Sequence, residues 1–170
     1  MVSAVVLKGF QLFKGLDDGE LAKIAELCSE RAMNQGDTVF SEGKRAGNLR
    51  LCRTGKVDIL MWVREPWNKH VVVHRAEAGE AFGWSALVAP YTYTASAECV
   101  EAGDEIRISG SALLDLFEQN PHIGFVVMNN LSSDISARLT QMRQRFSIEW
   151  LSAGIPEASG SSTWGEPKRR

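Results

Sequence analysis

The residues that can do chemistry concentrate in Gly79–Ala97, GEAFGWSALVAPYTYTASA. Gly79, Gly83, Ala86, Ala95 and Ala97 carry little or no side chain, so a second backbone or a bound group can come close. Phe82, Trp84 and Leu87 supply apolar bulk between them. A short helix or turn begun near Trp84 and stopped by Pro90 offers its first-turn N–H groups to an anion. Thr92, Thr94 and Ser96 then alternate with Tyr93, Ala95 and Ala97, the period of a strand. The chemistry on offer is capture of a small anionic group. The competing reading is a tight loop between two strands, packed by Phe82 and Trp84.

Covalent chemistry has less support. Ser85 lies in Gly-Trp-Ser-Ala, not in a nucleophile elbow, and no acid–histidine set backs it. No P-loop or dinucleotide fingerprint occurs. His70 and His74 share a face of a predicted strand, but His122 is the sole other histidine and no His-x-His group is followed by Glu. Surface histidines and no metal are the expectation, with metal binding by His70 and His74 as the weaker alternative. Cys28, Cys52 and Cys99 are odd in number and sit beside apolar residues, which predicts core fillers in a reducing compartment. The chain reads as a non-enzyme with no catalytic residue.

The elements that must position this stretch follow from pattern. Asp17 or Asp18 caps a predicted helix running to about Glu30, with Leu21, Ile24, Ala25, Leu27 and Cys28 on its apolar face. Strand-like pieces follow at Val39–Phe40, Asn48–Cys52, Lys56–Val63 and Val71–Arg75, divided by glycine turns, with a hairpin loop at EPWNK. Val57, Ile59, Met61 and Val63 make one face of the third piece apolar. Another strand runs from Thr92 to about Glu101, and Glu105–Ile108 alternates after a turn. Short strands with glycine corners predict an antiparallel sandwich or jelly roll. Ser109 or Ser111 caps a helix carrying Leu113, Leu114, Leu116 and Phe117 inward. Asn120–Pro121 starts the last helix, a capping side chain followed by proline at the first position.

That helix is predicted to run to about Trp150, longer than one small β domain covers. Met128, Ile135 and Met142 fall seven apart, with Leu131 and Arg138 on one flank and Leu139 and Phe146 on the other. The stripe predicts a homodimer through Met128, Leu131, Ile135, Leu139, Met142 and Phe146. The competing reading is a single helix packed on its own barrel. Residues 1–151 form one predicted domain and 152–170 a flexible tail, small and polar in composition.

Of 170 residues, 44% are hydrophobic and 24% charged, an ordinary globular composition. A net charge of -2 and a pI of about 5.9 give no electrostatic reason for a nucleic-acid or anionic-membrane partner. No apolar run reaches the ~20 residues of a membrane helix. MVSAVVLKGF lacks a signal-peptide pattern, so the expected location is cytoplasmic.

Taken together, LFKGLDDGELAKIAEL, QGDTVFSEG, RTGKVDI, GEAFGWSAL and NPHIG before a long helix resemble the cyclic-nucleotide-binding domain family, over roughly Leu12–Arg145. The family includes the sensor halves of catabolite-activator-type regulators, the regulatory subunit of protein kinase A and gating domains of channels. The resemblance implies a fold that is mainly β with helices: a double-stranded β-helix, or jelly roll, with short N-terminal helices and a long C-terminal helix. It also implies a phosphate cassette in which a Glu holds the ribose and an Arg pairs with the cyclic phosphate. Those positions are Trp84 and Tyr93 here, so both signature side chains are absent. The scaffold of Phe82, Gly83, Ser85, Ala86, Leu87, Thr94 and Ala95 remains. Arg138 is a further candidate, because the family's long helix closes over the base; its alternative is an ion pair with Asp134. Arg75 and Arg107 are weaker substitutes, each more often a surface residue or an ion-pair partner.

Losing a buried guanidinium partner costs on the order of 2–5 kcal/mol, roughly 30-fold to several thousand-fold in affinity. The expectation is a stand-alone regulatory module that binds cyclic AMP or cyclic GMP weakly or not at all, with a cyclic nucleotide or related anion as its possible ligand. A protein partner would supply the output, since about 20 mostly polar residues after Trp150 are too few for a DNA-reading domain. The alternative is a structural or interaction module without a small-molecule ligand.

Overall fold

The computed structural model describes residues 2–65 and 68–152. Two four-stranded antiparallel sheets form a β roll, with helices before and after it. Helix α1 (Ala4–Leu7) and a 3-10 turn (Gln11–Phe13) precede α2 (Asp18–Glu26). The strands are β1 (Cys28–Met33), β2 (Thr38–Phe40), β3 (Asn48–Cys52), β4 (Lys56–Val63), β5 (Lys69–Ala76), β6 (Ala81–Phe82), β7 (Ser96–Glu101) and β8 (Gly103–Ser109). Helices α3 (Gly110–Gln119) and α4 (Pro121–Ser152) close the chain. One sheet has the order β1-β8-β3-β6 and the other β2-β7-β4-β5. This is the expected jelly-roll architecture.

Period-2 alternation divides the core in two. On β3, Leu49 and Leu51 join a cluster built with Leu21 and Ile24 of α2, Ile106 and Ile108 of β8, Leu113 of α3, and Ile123, Val127 and Leu131 of α4. Cys52, on the other face, joins Met33, Val57, Ile59, Phe82, Ala97 and Cys99 inside the roll. The helices therefore cover the outer face of the first sheet, and the roll interior is left to a smaller set of side chains. Burial pushes the Cys28 thiol up to about 12 and Cys52 up to about 11, so these cysteines pack rather than react.

Several boundaries move. Helix α2 starts with a full capping box: the Asp17 carboxylate accepts from the Glu20 N–H at 2.8 Å, and Glu20 returns the bond to Asp17 at 3.0 Å. It ends at Glu26, not near Glu30, because Cys28–Met33 pairs along its whole length with β8. Tertiary pairing overrides the helix propensity of Glu30–Ala32. The segment from Thr92 to Ala95 is not regular strand; β7 begins at Ser96, and Arg45 bridges Thr92 instead. On β4 the alternation holds through Val57 and Ile59, then a register shift against β5 follows Ile59. The residue that caps α3 is Ser109, which accepts from the Ala112 N–H at 3.4 Å. Helix α4 does begin at Pro121, but the Asn120 side chain is not used as its cap: its oxygen accepts from Lys23 Nζ at 2.5 Å and its amide donates to Leu116 O.

The predicted dimer stripe is corrected in part. Leu131 is 1% exposed in the domain's own core, and Met128 and Ile135 pack against the same cluster. An amphipathic helix seats its apolar face on the nearest apolar surface, here the first sheet and α3. Leu139 alone of the described stripe is well exposed, at 52%, while Met142 is half-buried. The Phe146 side chain, Trp67 of the hairpin loop and the predicted tail from residue 153 lie outside the described residues.

Candidate functional site

Strand β6 ends at Phe82, and Gly83 turns the chain with a φ of +71°, a left-handed conformation that favours glycine. A three-residue 3-10 turn, Trp84–Ala86, follows. The chain returns through a cis Ala89–Pro90 peptide to Tyr93, whose N–H donates to Lys44 O at 2.9 Å and whose carbonyl accepts from the Gly43 N–H at 2.8 Å. These two segments face each other. Phe82, Gly83, Trp84, Ser85, Tyr93, Thr94 and Ala95 line one cavity, together with Phe40 and Ile59.

The cavity measures about 40 Å³. Its wall is apolar or neutral, with no ionisable group but the Tyr93 phenol. Tyr93 is 5% exposed and stacks on Phe40 with 3.9 Å between ring centroids and 8° between planes. Phe40 continues to Phe82 at 6.2 Å. The Tyr93 hydroxyl donates to Asn48 O at 3.3 Å. The phenol is thus a fixed part of the interior, held at both ends.

Two predicted residues turn away. Ala86 packs with Ala46 and Tyr93, and Leu87 belongs to the helix-side core. The Ala86 and Leu87 N–H groups are spent within the turn, on Gly83 O at 3.2 Å and Trp84 O at 2.9 Å. A 3-10 turn this short closes its own hydrogen bonds, so these N–H groups do not point at a ligand.

None of the three candidate cations lines the cavity. Arg75 forks onto Asp58 at 2.6 and 2.8 Å. Arg107 Nε donates to Glu105 at 2.5 Å. Arg138 pairs with Asp134 at 2.8 Å, donates to Ala81 O at 2.9 Å, and lies 4.8 Å from the centre of the Trp84 ring. The histidines are also engaged: His74 meets Glu80 at 3.2 Å, His122 meets Glu20 at 2.6 Å, and His70 packs edge-on to Trp62. Among the described residues no cluster of His, Cys, Asp and Glu has a metal-holding arrangement.

Sequence reasoning missed Phe40 and a buried charge cluster. Arg50, 6% exposed, donates to both Glu105 oxygens at 2.7 Å, and its guanidinium sits 5.6 Å from the Phe40 ring centre. Glu105 is fully buried between Arg50 and Arg107. A lone arginine inside the apolar strand NLRLC was the available signal; its partner, 55 residues away, carried none.

Comparison with known proteins gives this site its context. The cyclic nucleotide-binding domain profile matches residues 30–120. A protein of Geobacter metallireducens GS-15 described as cyclic nucleotide-binding is 32% identical, over 82% of this chain and 99% of its own, with a TM-score of 0.72. This chain belongs to the cyclic nucleotide-binding domain family. Two more distant structures share the fold of a cyclic nucleotide-binding domain. One is such a domain from Methylobacillus flagellatus KT, 19% identical over 91% of this chain and 84% of that one, TM-score 0.74. The other is the Thermus thermophilus catabolite activator protein, 22% identical over 85% and 72%, TM-score 0.67. This cyclic nucleotide-binding domain is accordingly a non-catalytic regulatory or sensor module. Among the described residues no helix is long and apolar enough to cross a membrane.

Proposed function

We propose that this module regulates through protein contacts and has lost tight binding of cyclic AMP and cyclic GMP. The observation that carries the reading is the Phe40–Tyr93 stack, which fills the space beside the cassette turn. A site for a drug-sized or nucleotide-sized ligand holds roughly 300–1,000 Å³, against about 40 Å³ here. The remaining space suits a water or two. A cyclic phosphate also needs a cation or several aligned N–H donors, and the cavity wall supplies no cation. Phe82, Gly83, Trp84, Ser85, Thr94 and Ala95 line the cavity, and Tyr93 brings a phenol to its wall where the resemblance implies a cation. Three unpaired thiols, two of them buried, support a reducing, cytoplasmic setting.

Isothermal titration to millimolar cyclic AMP and cyclic GMP tests the reading. The expected result is no saturable heat. Micromolar binding by the natural protein overturns it. In the double variant Trp84→Glu and Tyr93→Arg, returning the acid and the cation while removing the phenol is expected to create saturable binding. A variant that folds but stays silent shows that Phe40 and its neighbours have remodelled the pocket beyond those two positions.

A further inference from the structure

The long helix has two unequal halves. Up to Leu131 it is held by ordinary burial: Ile123 and Val127 are inaccessible and Leu131 is 1% exposed. Beyond Leu131, Ser132, Ser133, Ser136, Ala137, Leu139, Thr140 and Gln141 are exposed, and Asp134, Ile135 and Met142 are half-buried. Among the described side chains of that second half, Arg138 alone is buried, at 9% exposure. A charged side chain is the least expected residue to serve as the sole buried contact, because its desolvation must be matched by partners.

Arg138 finds those partners outside its helix. Nη2 donates to Ala81 O on β6, 57 residues earlier, at 2.9 Å. The guanidinium lies over the indole of Trp84, in the turn that follows. Asp134, one turn back on α4, pairs with it at 2.8 Å and orients it. Nη1 is buried with no partner among the described residues. The stacking needs a broad ring at position 84. The same tryptophan that cannot accept a ribose hydroxyl therefore offers a face to a cation.

We propose that Arg138 and Trp84 form a latch that holds the second half of α4 against the cassette turn. The helix position is then set by the turn itself. Any contact that displaces the indole frees residues 132–142 and the exposed face they carry. The inference goes beyond the proposed function and does not rest on it, since it needs no statement about nucleotide affinity.

Hydrogen–deuterium exchange of the full chain, without nucleotide, tests it with Trp84→Leu, Arg138→Met and the double variant. Each single change is expected to speed exchange in residues 133–142 by about tenfold while residues 121–131 and the β3–β8 core keep wild-type protection. The double variant is expected to exchange no faster than Arg138→Met alone, because Trp84 holds the helix through Arg138. Wild-type protection of 133–142 in Trp84→Leu overturns the proposal, as do independent, multiplying effects in the double variant. Should Arg138→Met open the whole domain, Trp84→Leu decides alone, since leucine keeps the apolar contact with the core and lacks the ring.

Discussion

At the scale of single residues, the side chains at positions 84 and 93 set the packing around the cassette turn. Tyr93 stands where the resemblance places a cation, and its ring stacks on Phe40. Trp84 stands where an acid is expected, and its face receives Arg138. His74 shows how such packing becomes pH-dependent. Burial, then the nearby Arg138 charge, lower its pKa below the ordinary 6.5, against the pull of Glu80 and Asp134. The unfolded chain therefore binds the His74 proton more readily than the folded one. Stability from this group is full above about pH 6.5 and falls as pH drops through the lowered folded value. Urea midpoints measured from pH 7.5 to pH 5 are expected to decline in that window, and His74→Gln is expected to flatten the decline. An equal decline in both proteins would assign it to other groups.

At the scale of elements, the cassette turn is fixed by what packs behind it. Gly110 opens α3 directly under Ala86: a Cβ there would meet Ala86 O at 2.4 Å and Ala86 Cβ at 2.9 Å. The first contact is backbone and cannot rotate aside, so the turn or α3 would have to move. Gly110→Ala is expected to destabilise by about 2 kcal/mol and lower the melting temperature by roughly 4–8 °C. A melting temperature within a degree of wild type would mean that the turn yields freely. Long-range pairing likewise explains why β1 escaped the sequence pattern. Glu30, Arg31 and Ala32 suit a helix locally, and six paired positions on β8 make them a strand.

At the scale of the whole molecule, α4 decides which surface faces a partner. Its first half is committed to the domain's own core, so Leu131 does not belong to a dimer seam and Met128 and Ile135 are largely spent on that core. Within the predicted stripe, Leu139, 52% exposed, is the described side chain left for self-association. Sedimentation velocity at micromolar concentration is expected to show a dimer for the natural protein and a monomer for Leu139→Lys. A natural monomer, or a dimer indifferent to Leu139→Lys, would move the contact to another face.

Strands β3 and β4 were legible to the residue, because a glycine stands just before each and apolar residues recur at every second position, Leu49 and Leu51 on one and Val57 and Ile59 on the other. The order of motifs around Phe82–Gly83 and the long helix after Pro121 carried the resemblance to the family, and that resemblance implied the roll and the two cassette segments at Phe82 and Tyr93. These features are local in the chain, and local spacing is what a sequence records directly. The long-range contacts around the cassette were not legible. Phe40 meets Tyr93, Arg50 meets Glu105, and Arg138 meets Trp84 only after antiparallel pairing has brought distant strands and the last helix together. Neither partner of such a pair carries a sign of the other. The amino-acid order determined the frame of the site, and the packing of residues far apart in the chain determined which side chains line it.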